Sequence, residues 1–203
     1  MFITIEGIEG CGKSTLMEKL ANSLRSAGRT VIMAREPGGT SLGDRLRAIF
    51  LDSTLRIEPW AEAMLVNTSR AQLLKEVIRP ALERREDIVC DRFTDSTIAY
   101  QGYGRGLALG PLEQLCDLAT AGLRPDLTLF LDISVAFSRA RVVGRANRQD
   151  RMDSQSDAYH ERVREGYRSI AQGNPQRVKT LDGSLGASEL LQAALVEISV
   201  ATQ

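Results

Sequence analysis

Eight residues near the amino terminus have the types and spacing of a phosphate cradle. Gly7-Ile8-Glu9-Gly10-Cys11-Gly12-Lys13-Ser14, followed by Thr15, fits the pattern G-x-x-x-x-G-K-[ST]. Glycines let backbone N–H groups converge on phosphate oxygens, and a helix that begins there adds partial positive charge. Lys13 can then reach the outer phosphates of a nucleoside triphosphate, and Ser14 can place its hydroxyl on Mg2+. Cys11 sits among the same N–H donors, which favours its thiolate and predicts that alkylation there inactivates. A carboxylate to orient the cation has two candidates: Asp91, ending Ile88-Val89-Cys90, and Asp132, ending Leu127 to Leu131. Asp91 is preferred because it abuts Arg92.

Composition narrows the use to which such a cradle is put. The 203 residues carry 26 Lys plus Arg and 26 Asp plus Glu, so there is no basic excess for nucleic acid or an anionic membrane. One histidine, His160, makes a His-rich metal site impossible. Cys11, Cys90 and Cys116 give neither a disulfide framework nor metal-ligand spacing, which points to a reducing, cytoplasmic setting. The opening Met-Phe-Ile-Thr-Ile-Glu has no basic leader, and no apolar run reaches the roughly 18 residues of a membrane span. A small-molecule kinase, a nucleotide-dependent switch and an ATPase motor remain. A guanine-reading N-K-x-D should follow a strand, whereas Asn147-Arg148-Gln149-Asp150 lies in an Arg-rich stretch after a helix. A motor usually carries more domain than this length allows. A kinase is the leading reading, with another nucleoside or nucleotide kinase of the same fold, or a P-loop switch, as alternatives.

The elements that must position these residues alternate. Apolar runs at Phe2 to Ile5, Thr30 to Ala34, Ile88 to Cys90, Leu127 to Leu131 and Val178 to Leu181 read as buried strands. Amphipathic stretches at 13–27, 43–51, 60–84, 95–102, 111–121, 134–144, 156–172 and 187–201 read as helices. Alternation of this kind predicts an α/β fold with a five-stranded parallel sheet flanked by helices. One domain over 1–203 is expected, with an Arg-rich mobile lid at about 145–155.

Two further segments follow strands: Arg35-Glu36-Pro37-Gly38-Gly39-Thr40, and Asp91-Arg92-Phe93 continuing to Ser96-Thr97-Ile98-Ala99-Tyr100-Gln101-Gly102. Together with the phosphate loop, and in this order, they resemble the bacterial thymidylate kinase family essentially end to end. The resemblance implies a P-loop kinase fold, transfer of the γ-phosphoryl of ATP to dTMP with Mg2+, giving dTDP for dTTP synthesis, and a homodimer. It assigns Arg92, with Arg47, to the acceptor phosphate, and places Glu36 and Pro37 among the substrate-binding residues. Arg70 matches the arginine that bonds a thymine carbonyl, Thr97 and Gln101 the polar readers of the base edge, and Tyr100 the aromatic that lies against the deoxyribose. Glu9 matches an acceptor for the nucleotide 3′-hydroxyl. The family commonly has a stacking phenylalanine four residues before Arg70, and this chain has Val66. Some relatives carry an arginine in the phosphate loop; here Gly10 and Cys11 stand there, so the lid is expected to supply it through Arg145 or Arg148, with Arg151 also on the ATP side. An acceptor that is already a phosphate needs charge and alignment, with no general base.

Overall fold

A computed structural model describes residues 1–143 and 150–201. Its strands are β1 (Phe2–Glu6), β2 (Val31–Arg35), β3 (Asp87–Asp91), β4 (Leu127–Asp132) and β5 (Val178–Asp182). All pair in parallel in the order β2-β3-β1-β4-β5. Ile5 of the central strand stands opposite Asp91 on one side and Leu129 on the other. Side chains alternate between two buried faces, as the continuous apolar runs predict. Ile3 and Ile5 join Leu16, Leu20 and Leu129 in one core, while Phe2, Ile88 and Cys90 join Leu73, Ile78 and Phe93 in the other.

Helix α1 (Lys13–Ser26) follows the phosphate loop and buries Leu16, Leu20 and Leu24 at four-residue spacing. Helix α2 (Ser41–Leu51) is capped by Thr40, whose hydroxyl accepts from the Gly43 N–H at 2.9 Å. The expected single helix over 60–84 is instead α3 (Pro59–Leu73), a π turn over Leu74–Ile78, and α4 (Arg79–Glu83). Pro80 has no N–H to return and its ring crowds the carbonyl of Glu76, so the helix widens just before it. The expected helix at 95–102 likewise splits into α5 (Thr94–Thr97) and a π turn over Ile98–Gly104. Gly104 permits the close approach of Tyr159 there, since a Cβ on it would lie 2.8 Å from that ring.

The remaining helices are α6 (Leu109–Thr120), α7 (Val135–Val143), α8 (Asp157–Gly173) and α9 (Ala187–Ala201). Arg145 and Arg148 of the expected lid lie outside the described residues. Its second half is a pinned turn: Asp150 Oδ1 accepts the N–H groups of Met152 and Asp153 at 2.8 and 2.9 Å, and the Arg151 N–H donates to the Leu51 carbonyl.

Candidate active site

The loops after β1, β2 and β3 leave the carboxyl edge of the sheet together, where open parallel sheets place ligands. They surround a cavity of about 560 Å³. Its lining draws on Gly10, Gly12, Lys13, Ser14 and Thr15 of the phosphate loop and the start of α1, on Glu36, Pro37, Arg47, Val66, Arg70, Thr97, Tyr100 and Gln101 of later segments, and on Glu9, Asp91 and Arg92. Pieces of sequence spread from Glu9 to Gln101 are thus brought to one place. Gly7, Ile8 and Cys11 belong to the loop but lie behind the wall.

In the loop, the Lys13 ammonium donates to the carbonyls of Gly7 and Ile8, each at 3.1 Å. Cys11 is fully buried, and burial pushes its thiol above the ordinary range despite the nearby Lys13 and Arg92 charges. The expected thiolate is therefore corrected: loss of hydration outweighs the N–H donors and cations around the sulfur. Asp91 Oδ1 is buried and has no hydrogen-bond partner among the described residues, although its carboxylate faces the same cavity as Ser14. Its competitor Asp132 is occupied, accepting Arg164 Nε at 2.6 Å and Arg168 Nη2 at 2.8 Å. An orphaned carboxylate and a serine hydroxyl lining one cavity suit a hydrated divalent cation.

Arg92 occupies the left-handed region, with φ at 73°. Its side chain crosses the Tyr100 ring at 4.8 Å and donates to Glu9 at 2.7 Å, to the Tyr100 hydroxyl at 3.0 Å and to the Tyr167 hydroxyl at 3.0 Å. Burial alone would raise the Glu9 pKa, but Arg92, Lys13 and the Tyr100 hydroxyl outweigh it and hold the carboxyl at about 2. Glu6, at the end of β1, accepts from the Phe93 N–H, the Ser96 hydroxyl and the Tyr167 hydroxyl, and so fixes the segment that carries Arg92. Burial, with the Asp95 charge, pushes Glu6 up to about 7.

Arg70 is 2% exposed and pairs with Glu36 at 2.7 Å. It also donates to Asn67, Thr97 and the Phe93 carbonyl, at 2.7, 2.9 and 2.9 Å. Five guanidinium N–H groups less these four bonds leave one, on Nη2, for a ligand in the cavity. Arg47 donates to the Pro37 carbonyl at 2.9 Å.

Arg151, expected on the ATP side, is buried behind the cavity wall, where it donates to Glu62 at 2.6 Å and to the Phe50 carbonyl at 2.7 Å. Three contributors escape the sequence reading. Phe50 lines the cavity beside Val66. Arg141 turns inward to the carbonyls of Gly10 and Gly183 at 3.3 and 3.0 Å. Glu62 is fully buried behind Gln101. A helix-face reading could have found Glu62, because Glu62, Val66 and Arg70 fall at i, i+4 and i+8 on α3.

A parallel sheet whose first loop is a phosphate cradle, facing a polar cavity across a carboxylate and an arginine, defines a P-loop kinase. The family model described as thymidylate kinase matches residues 5–194. The thymidylate kinase of Deinococcus radiodurans is 47% identical over 190 residues, covering 94% of this chain and 92% of that protein. That of Desulfovibrio desulfuricans is 50% identical over 191 residues, covering 91% and 88%. The crystal structure of the Ehrlichia chaffeensis thymidylate kinase superposes with a TM-score of 0.79 at 30% identity, covering 98% of each chain. The chain belongs to the thymidylate kinase family.

Proposed function

We propose that the cavity holds ATP at the phosphate loop and dTMP among the later segments that line it, and that the γ-phosphoryl passes between them to give ADP and dTDP. The observation that carries this is that one cavity is lined both by the phosphate loop with Lys13 and by the buried polar side chains of Arg70, Thr97 and Gln101, which are largely paired within the protein. In this reading Arg70 donates its remaining N–H to a thymine carbonyl, Gln101 and Thr97 meet the base edge, and Tyr100 with Glu9 borders the deoxyribose. Arg92 and Arg47 meet the acceptor phosphate, whose oxygen attacks without needing a base. Ser14 and Asp91 would hold Mg2+, which would offset the negative charge of the ATP phosphates. Arg145 or Arg148 supplies charge to the moving phosphoryl group. Positioning and charge are the whole of such catalysis.

Trp60 and Met64 on α3 and Leu118 on α6, 38%, 55% and 81% exposed, form the apolar face through which a homodimer would assemble. No helix among the described residues is long and apolar enough to cross a membrane. Three buried, unbridged cysteines support a cytoplasmic setting. The deciding experiment offers ATP with dTMP, dUMP, dCMP, dGMP and dAMP in turn and follows ADP release. Release that depends on dTMP above the others is expected; ADP release without acceptor dependence would overturn the reading.

A further inference from the structure

Gln101 can face a base with either end of its carboxamide. Thymine offers an N–H donor at N3 beside an acceptor at O4, and cytosine offers an acceptor at N3 beside an N–H donor at C4. A carboxamide in one orientation accepts from thymine N3–H; turned over, it presents the complementary pattern to cytosine. Something must hold it. Gln101 Nε2 donates to Glu62 Oε1 at 2.8 Å. Glu62 is fully buried and does not reach the cavity. Its carboxylate accepts only, so it can face the Nε2 end and never the carbonyl end.

The carboxylate is itself immobilised. Arg105 donates to Oε1 through Nε at 3.3 Å and to Oε2 through Nη2 at 3.1 Å, and Arg151 donates to Oε2 at 2.6 Å. Arg105 is anchored in turn on Gln155 at 2.8 Å. Burial would raise the Glu62 pKa, but the bonds from Gln101, Arg105 and Arg151 outweigh it, so the group stays ionised and acceptor-only. In the same cavity lining, Arg70 presents only N–H donors, which suit O4 and oppose an amino group.

We infer that Glu62 is a positioning residue that locks the Gln101 carboxamide in the orientation that accepts from thymine and rejects cytosine. The lock rests on the reading of Gln101 as a base-edge reader, and the two are tested separately. Steady-state kcat/KM for dTMP and for dCMP is measured in the wild type, Glu62→Gln, Gln101→Met and the double variant. A glutamine at 62 can face Gln101 with a donor or an acceptor, so it releases the toggle. The dTMP-to-dCMP ratio is expected to fall at least ten-fold in Glu62→Gln, with dCMP turnover rising. Gln101→Met should lose dTMP turnover without gaining dCMP, and adding Glu62→Gln to it should leave its ratio unchanged. A general loss of stability would lower both substrates and leave the ratio in place. Folded Glu62→Gln that keeps the wild-type ratio within two-fold overturns the lock; an unchanged ratio in Gln101→Met overturns the reading of Gln101. Because Glu62→Gln leaves two arginines short of charge, a second measurement uses the wild type alone. The Gln101 side-chain N–H signals should be protected from hydrogen exchange before dTMP is added, and exchange as fast as a free carboxamide refutes the lock.

Discussion

Replacing Arg92 by alanine and, separately, by glycine divides two jobs that one residue performs. Both variants remove the bonds to Glu9, Ser96, Tyr100 and Tyr167 and the charge offered to the acceptor phosphate. A charge-assisted contact of this kind is worth about 1.5–3 kcal/mol, which converts to roughly 10- to 150-fold in kcat/KM for dTMP. Both should lose that much, while KM for ATP stays near the wild type. They should differ in stability. A φ of 73° costs an alanine about 1–2 kcal/mol, and glycine avoids this but adds unfolded-chain entropy of about 0.5–1 kcal/mol. The glycine variant should therefore be the more stable by on the order of 0.5–1 kcal/mol, a Tm difference of about 1–4 °C at this chain length. Calorimetry and a coupled assay read the two quantities independently. Either variant keeping kcat/KM for dTMP within three-fold, or activity tracking Tm between them, would show that Arg92 serves the backbone and Glu9 rather than the phosphate.

Glu6 has a folded pKa of about 7 against an ordinary 4.5, so the native state binds its proton more tightly and stability falls as pH rises between those values. The drop is about 3 kcal/mol, and Glu6→Gln should lack it; parallel urea-stability curves for the two proteins from pH 4.5 to 8 would refute this. Val66→Phe should lower KM for dTMP about five-fold through an aromatic stack worth on the order of 1 kcal/mol, and an unchanged KM means that the base does not lie against position 66. Arg145→Ala or Arg148→Ala should lower kcat by about 10³-fold with KM for dTMP little moved, and a double variant within a few-fold of wild type would remove both from the chemistry. Gly10→Arg should not restore that rate, because a Cβ there, at φ 75°, would meet the Ser138 carbonyl at 3.0 Å and Val142 Cγ2 at 3.2 Å. Iodoacetamide at neutral pH should leave Cys11 unmodified and activity intact; mass-spectrometric mapping of the label to Cys11 with inactivation would contradict its burial.

Much of the fold is legible in the sequence because each strand is a short apolar run, the central ones covered on both faces, and because helices such as α2 and α8 carry their own N-terminal cap. The phosphate loop is equally legible, since the backbone does the binding and glycine spacing records it. What escapes is set by tertiary contact. The π turns before Pro80 and after Thr97 depend on where one carbonyl meets a ring or on how closely α8 approaches. Arg141 and Arg139 are two residues apart and look alike, yet one turns to the phosphate loop and the other to Asp157 and the 153–155 turn. Arg151 looks like a cation for phosphate until Glu62, a residue eighty-nine positions earlier, claims it. No local pattern marks such a partner, because burial of a carboxylate is decided by everything packed around it.

The widened turn over Ile98–Gly104 carries a consequence for chain length. Such a turn accommodates one residue more than a regular helix would, and the residues that follow the extra one are offset by about 100°. Deleting a single residue inside it would let ordinary helical pairing resume and leave the strands and core in place. Everything on one side would nevertheless be rotated relative to the other, so Tyr100 and Gln101 could not both keep their bearings on Glu9 and Glu62. Length variation on a helix is ordinarily absorbed as a harmless change in a flanking loop. In this stretch a one-residue indel is a change of aim.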